Sequence, residues 1–581
     1  MSQQSVQWKI GGEAGFGIMT TGLIFSRVMA RGGLKTFAYP EYPSLIRGGH
    51  NTYQVTVDPV QSTSQLHTVH LLVALNRETI TLHEAELADN AAVVYDPDDW
   101  GTETPTLTHA TATLVAVPLT ALTKQLDSAR VARNTVSLGA SFALLNYPWE
   151  IVEGVINDWF GRKKPELAAK NLALTKAGYD AVIGKYNFPH HVAPVAGAPK
   201  QMVISGNGSI AMGAMKAGMK FYAAYPMTPS SDILGYLARQ EDTMGLVVKH
   251  TESEIAAMNM AIGAGFAGVR AMTGTSGGGF ALMVEALGLA GIAEVPVVVV
   301  MGQRPGPSTG LPTWTSQSDL RFVLHASQGE FPRIVLAPGD AQECFYVTYH
   351  AFNLAEIYQL PVLILVDKYV QESWQSVEPY DTSKLTIDRG SLLSAEQVLA
   401  RNEKHFKRHE HTDTGISPRT VPGVPGGVHI ASSYEHNEEG FTTEDELETT
   451  KQNDKRMRKL DTYLMKHAHG PQFFGPENAD ITIVGWGSTK LTALAAVRIA
   501  EERGISMNYL HFTEIYPLPV AQTVEAFNRT KKTLCVEGNK LGQFEQWVFE
   551  NTGIRMTGNF HKYGGRPFYP EEIIEQALNL I

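Results

Sequence analysis

From Val297 to Met301 five apolar positions follow one another, four valines and a methionine, and the run ends at Gly302. A run of this kind predicts a strand buried on both faces of a parallel sheet. Around it the pattern alternates regularly, with strands at about 219–224, 246–249, 269–273, 295–301, 332–336 and 361–366 and helical periods near 230–240, 254–267, 278–291 and 340–357. The reading is a doubly wound parallel sheet. A similar alternation precedes it, with strands at 5–10, 52–57, 68–75, 91–96 and 112–117 and a helix running from Gly17 to about Ala30. Residues 187–201 hold three prolines and no amphipathic period, so they read as a linker. The pattern thus divides the chain into an α/β domain at 1–186, the linker, a central domain at 202–385, a polar connecting segment at 386–470 and a smaller domain at 471–581. The expected fold class is α/β, with three parallel-sheet domains.

Composition narrows what such a chain can do. Its 581 residues suffice for three or four separate cores. The 48 basic against 59 acidic side chains leave a net charge of -11, which argues against nucleic acid or an anionic membrane surface as partner. Cys344 and Cys535 are the two cysteines, and no CxxC occurs. A disulfide framework is excluded, and so is a four-thiolate iron-sulfur or zinc centre built by this chain alone. The start, MSQQSVQWKI, lacks a cationic region followed by an apolar core, and the apolar stretch Ala286–Met301 is broken by Glu294 and Pro296. No secretory signal and no membrane span are expected, and the cytoplasm is the simplest compartment.

Candidate chemistry gathers where strands end. After Gly302 comes the loop QRPGPSTGLPT, which places Arg304 at the carboxyl edge of the sheet, where ligands bind and where a guanidinium suits a carboxylate. Two other central strands end in Tyr225–Pro229 and in His250–Glu254, so three loops converge on one rim. Glu252 and Glu254 both stand at a helix start, where a carboxylate is also favoured by the helix dipole. Thr228 is placed either to touch a ligand or to cap the helix after Pro229. At the amino end, GGEAGFG (Gly11–Gly17) is a strand-to-helix turn able to cradle phosphate, with the Arg47–Asn51 loop facing it. Its G-x-x-G-x-G spacing departs from the dinucleotide fingerprint, although Glu41 falls near the place of a ribose-binding acid. A nicotinamide- or flavin-binding oxidoreductase is the alternative enzyme reading, and a non-catalytic scaffold subunit is a third. In KHFKRHEH, His405 and His409 would share a helix face with His411 nearby, but the cationic neighbours favour a solvated or partner-facing segment over a metal. Gly485 and Gly487 form a turn better suited to packing than to phosphate.

The motifs YPMTPSS, ESEIAAMNMAIGAG, TSGGGFALMVEALGLAG and GQRPGPSTGLPT resemble the α subunit of the 2-oxoacid:ferredoxin oxidoreductases, with the 2-oxoglutarate branch nearest. The resemblance covers nearly the whole chain, with the amino-terminal part similar to the family's γ domain fused in front. It implies a thiamine-diphosphate pyrimidine-binding fold for the central domain and a transketolase C-terminal-like fold for the last. It selects Glu254 as the acid that favours the imino tautomer of the aminopyrimidine, which then removes the thiazolium proton. It assigns Arg304, Thr313 and Thr228 to the 2-oxoacid, and Pro226 and Thr228 to the cofactor's surroundings. The glycine turn and the Arg47 loop separately suggest that Gly15, Gly17 and Arg47 help to close over coenzyme A. Trp314 and Ser316 depart from the family pattern after LPT. No diphosphate and magnesium motif occurs in this chain. The resemblance places Mg2+, the diphosphate half and a [4Fe-4S] cluster on a β subunit, in an (αβ)2 complex that passes electrons to ferredoxin and runs in either direction.

Overall fold

The computed structural model describes residues 5–45, 48–61, 63–161 and 165–580. The amino-terminal region supplies β1 (Val6–Glu13), β2 (Lys35–Glu41), β3 (His50–Asp58), β4 (Val69–Ala74), β5 (Leu87–Tyr95) and β6 (Thr113–Ala116). The central region supplies β7 (Met202–Ser205), β8 (Phe221–Ala224), β9 (Val247–His250), β10 (Ala271–Ser276), β11 (Val297–Gln303), β12 (Ile334–Leu336), β13 (Pro361–Asp367) and β14 (Trp374–Val377). The carboxyl-terminal region supplies β15 (Gln472–Phe474), β16 (Ile481–Trp486), β17 (Met507–Phe512), β18 (Glu514–Tyr516), β19 (Lys532–Glu537) and β20 (Gly558–His561).

These strands form three sheets. The central one has the order β18-β12-β13-β11-β10-β8-β9 and is parallel from β12 to β9. β10, β11 and β13 are buried along their whole lengths. Alternate residues of the valine run enter opposite cores. Val297, Val299 and Met301 pack with the helices Glu254–Phe266 and Gly277–Ile292, while Val298 and Val300 pack with Gly206–Lys216 and Ala341–Tyr358. Each such side chain contributes about 1.5–3 kcal/mol through burial, which fixes the register of the strand and hence the position of the loop that follows it.

The amino-terminal sheet has the order β6-β5-β4-β1-β3-β2-β14-β7. It is mixed where a parallel sheet was expected: β3 runs against both β1 and β2, and β14 against both β2 and β7. The connection from Glu41 to His50 is too short for the crossover that parallel neighbours need. Its last two strands come from beyond the linker, so this sheet is sewn to the central region. The central sheet likewise borrows β18, antiparallel to β12. The third sheet, β15-β17-β16-β19-β20, docks through Gln317, whose Nε2 donates to the Trp486 carbonyl at 2.8 Å and whose Oε1 accepts from the Gly538 amide at 2.8 Å. Gly487, at φ 54°, lies against Gln317 and is a packing turn of this seam.

The polar segment is not the solvated connector that its composition suggested. KHFKRHEH is not helical, so His405 and His409 do not share a helix face. His405 meets Phe441 edge-on, and His411 pairs with Glu448 at 2.8 Å. His409 is buried and meets Glu294 at 3.0 Å through Nδ1. The helix Glu446–Lys466 brings Lys455 to within 2.5 Å of Glu294 and adds Lys459, both fully buried. Glu294, His409 and His436 could hold a metal by spacing, but the two ammonium groups already answer the carboxylate. Burial pushes the Glu294 carboxyl up, yet the combined pull of Lys455, Lys459 and His409 holds it well below the usual carboxylate range. Among the described residues, no helix is long and apolar enough to cross a membrane.

Candidate active site

In the strand order β11-β10-β8-β9 the carboxyl ends deliver, in turn, Arg304, the glycine turn Gly277–Gly279, the loop Tyr225–Ser230 and Glu254. Three strand spacings, roughly 14 Å, separate the outer two. All lie on one rim.

Glu254 is the first residue of its helix and is 4% exposed, whereas Glu252 is exposed. Ser253 caps the helix by accepting from the Ala256 amide, and this fixes the carboxylate in the first turn. Its Oε1 is buried with no hydrogen-bond partner. The space it occupies exists because residue 279 is glycine: a methyl group there would lie 2.7 Å from Glu254 Oε1 and 2.1 Å from Thr275 Oγ1.

Arg304 is partly buried and its Nη1 donates to the Thr228 carbonyl at 2.9 Å, which links the loop after β11 to the loop after β8. Burial lowers the guanidinium pKa and Asp319 opposes that shift. The expected hydroxyl cap from Thr228 is not formed, since the helix begins at Ser231 after Ser230. A buried network holds this loop instead. Asn207 Nδ2 donates to the Pro229 carbonyl at 2.8 Å, Gln371 Nε2 donates to Asn207 Oδ1 at 2.8 Å and to Ser230 Oγ at 3.1 Å, and Ser230 Oγ donates to the Thr275 carbonyl at 2.8 Å. Pro226 is exposed on the outer part of the same loop. Thr313 is 5% exposed, and its Oγ1 is buried without a partner.

At the ends of β10 and β11 and on the segments that follow β9 and β11, Glu254 Oε1, Ser276 Oγ, Gln303 Nε2 and Thr313 Oγ1 are buried and unpartnered. Buried polar atoms are ordinarily satisfied, so each is free to meet a ligand. A lone carboxylate oxygen there suits an N–H donor such as a ring nitrogen.

The chain is 33% identical over 634 residues to the 2-oxoacid:ferredoxin oxidoreductase subunit alpha of a Sulfolobus species, covering 99% of this chain and 97% of the relative. It belongs to that family. Residues 212–456 match the family described as "Pyruvate flavodoxin/ferredoxin oxidoreductase, thiamine diP-bdg", and residues 7–181 match "Pyruvate ferredoxin/flavodoxin oxidoreductase". The 2-oxoglutarate synthase subunit KorA of Methanothermobacter thermautotrophicus is 33% identical over 385 residues, covering 66% of this chain and 99% of the relative. Among solved structures, the 2-oxoglutarate:ferredoxin oxidoreductase from Magnetococcus marinus, with 2-oxoglutarate, coenzyme A and succinyl-CoA bound, superposes with a TM-score of 0.91 at 31% identity, covering 99% of both chains. As an α subunit of a 2-oxoacid:ferredoxin oxidoreductase, the chain carries the family's thiamine-diphosphate-binding domain and acts within a multi-subunit enzyme.

The remaining sequence candidates lie in the amino-terminal domain. Gly15 and Gly17 both have positive φ, at 92° and 74°, and a side chain at Gly15 would meet nothing within 4 Å. Gly15 borders a small cavity of about 170 Å3, lined also by Phe16, Arg130, Arg133 and Asn134, near the start of the helix Ile18–Arg31. Arg47 lies outside the described residues. Glu41 ends β2, and its charge acts on the buried Lys368, which donates to the neighbouring Pro40 carbonyl at 2.8 Å. Asn207, Gln371 and Asp319 were missed in the sequence. They are ordinary polar residues distant along the chain, and no spacing signals that they meet.

Proposed function

We propose that in this α subunit Glu254 hydrogen-bonds the aminopyrimidine ring of thiamine diphosphate, while Arg304 and Thr313 hold the carboxylate of a 2-oxoacid, with Thr228 and Pro226 shaping the wall between them. The observation that carries the reading is the buried, unpartnered Glu254 Oε1, on the same rim as a guanidinium tied to the loop that separates the two. A carboxylate in this position holds a proton on the ring side of the site, and the Arg304 fork orients an anion against it. When bound, thiamine diphosphate supplies the carbon nucleophile and electron sink for decarboxylation. The overall reaction is the oxidation of a 2-oxoacid with coenzyme A and ferredoxin to an acyl-CoA and carbon dioxide, which is reversible.

The substrate is proposed to be 2-oxoglutarate, on the likeness to the KorA subunit and to the Magnetococcus enzyme. Mg2+, the diphosphate half and a [4Fe-4S] cluster are assigned to a β subunit in an (αβ)2 assembly. Supporting this, the two cysteines of this chain are both buried, and a cubane cluster needs four thiolates. Coenzyme A is assigned to the glycine turn at Gly15 and Gly17 with Arg47, on the strength of a strand-to-helix turn that opens a helix amino terminus.

The test is co-expression with the β subunit and assay of 2-oxoglutarate against pyruvate with coenzyme A and a viologen dye. Glu254→Gln and Arg304→Ala should leave the complex assembled while kcat/KM falls about 100-fold or more. Near-normal turnover in either variant would refute the assignment. Arg47→Ala should raise the KM for coenzyme A alone.

A further inference from the structure

Gln371 stands where the two segments that carry Arg304 and Thr228 leave the central sheet. It lies in the one-turn helix Lys368–Glu372, which is buried throughout and begins after Asp367, whose side chain accepts from the Val370 amide at 3.1 Å. The helix is pinned on its amino-terminal-domain side, where Lys368 donates to the Pro40 carbonyl at 2.8 Å and Glu372 accepts from the Tyr42 hydroxyl at 2.7 Å. Two main-chain carbonyls decide which way the Gln371 amide points. The Pro229 and Thr275 carbonyls can only accept, so Asn207 and Ser230 donate to them, and each turns an oxygen toward Gln371. Gln371 Nε2 therefore gives one hydrogen to Asn207 and the other to Ser230, and its Oε1 is left on the other side, buried and without a partner. On that side is Gly302, two residues before Arg304. A methyl group at Gly302 would run into Gln371 Oε1 and lie 2.6 Å from Ser230 Oγ and 3.0 Å from Pro229 Cγ. One side chain thus touches both β11 just below Arg304 and the loop just beyond Thr228. A buried carbonyl oxygen without a donor costs about 1–3 kcal/mol, so stability alone would not favour this arrangement.

We propose that Gln371 is a positioning residue for the substrate anion: it fixes the spacing between β11 and the loop after β8, and so the orientation in which Arg304 meets the 2-oxoacid carboxylate. The inference rests on the assignment of Arg304 to the 2-oxoacid. Gln371 is fully buried, so it acts through the main chain of residues 228–230 and 302–304. Arg304 spends an N–H of Nη1 on the Thr228 carbonyl, and this bond sets the plane of the fork that remains for an anion. Displacement of that carbonyl turns the fork, and a bidentate grip on a carboxylate depends on the two groups sharing a plane.

In the assembled enzyme, Gln371→Met keeps the length of the side chain and removes both donors. It should raise the KM for the 2-oxoacid about tenfold, the worth of one charge-assisted contact, with the KM for coenzyme A within about twofold of wild type and a smaller change in kcat. Ser230→Ala, the milder change, removes the hydroxyl between Gln371 and the Thr275 carbonyl and should raise the same KM about threefold or more. It carries the test if Gln371→Met does not assemble. In an Arg304→Ala background neither substitution should raise the KM further. A wild-type KM for the 2-oxoacid in the folded variants, an equal rise in KM for both substrates, or a rise that persists without Arg304 would each overturn the proposal. Arg304→Ala alone tests the underlying assignment: if it leaves KM unmoved, the assignment fails, and if it raises KM while Gln371→Met and Ser230→Ala do nothing, this inference alone fails.

Discussion

Glu252 and Glu254 open the same helix, and helix electrostatics favour a carboxylate at either position. Burial separates them, because Glu252 faces solvent while Glu254 turns under the glycine turn of the neighbouring helix with one oxygen unpartnered. The residue that permits this is Gly279. Gly279→Ala would drive a methyl group into Thr275 Oγ1 and Glu254 Oε1, so the carboxylate must move. We expect kcat to fall by about tenfold or more, with a smaller change in substrate KM, since displacement of an acid by 1 Å costs catalysis more than it costs anion binding. Steady-state kinetics of the assembled variant, with assembly checked by gel filtration, measure this. The place of Arg304 at the end of β11 was legible from its loop. Its attachment to Thr228 was not, since a main-chain carbonyl on another strand leaves no trace in side-chain chemistry.

Elements were the most readable level. The valine run of β11, its period-two division between two cores and the helices on either face follow from hydrophobic pattern alone. The helix Glu446–Lys466 was not read correctly, because its buried face sets Gln452, Lys455, Arg456 and Lys459 beside only two apolar residues, Leu460 and Tyr463. Charged residues enter a core when an opposite charge waits there, and Glu294 is that charge. Glu294→Gln should cost about 3–5 kcal/mol by leaving two ammonium groups uncompensated, read as a lower midpoint in urea denaturation. Since the folded carboxyl titrates below its unfolded value of 4.5, the stability it contributes is full above that pH and is lost as pH falls through the folded value. The difference between wild type and Glu294→Gln should therefore narrow in acid. A difference that is constant from pH 7 to pH 3.5 would show that packing, and not charge, holds the segment.

In the whole molecule the three sheets are stitched together: β7 and β14 complete the first, β18 completes the second, and the third is anchored by ions as well as by Gln317. Lys490 of the carboxyl-terminal region sits between Asp340 and Glu343 of the central region, with His511 at 3.0 Å from Glu343. Burial pushes Glu343 up, but His511 and Lys490 together hold it well below the usual range. Lys490→Met should release the third sheet, lowering the thermal midpoint and exposing the seam to protease, at a cost of about 3–5 kcal/mol for the two stranded carboxylates. A proteolysis pattern identical to wild type would mean that Gln317 and the apolar contacts hold the seam alone.

By itself, the sequence determined the α/β class, the alternation of strand and helix, the central parallel sheet and the loops that end on its rim, because these follow from local periodicity and from the rule that parallel strands share an edge. Its motifs also carried the family. Only the tertiary structure decided which strands cross the apparent domain boundaries, which of two neighbouring acids is buried, and that Arg304 is tied to Thr228. These depend on atoms tens to hundreds of residues apart meeting within a few ångströms, and the free energy of such meetings comes from shared burial, which no local pattern encodes.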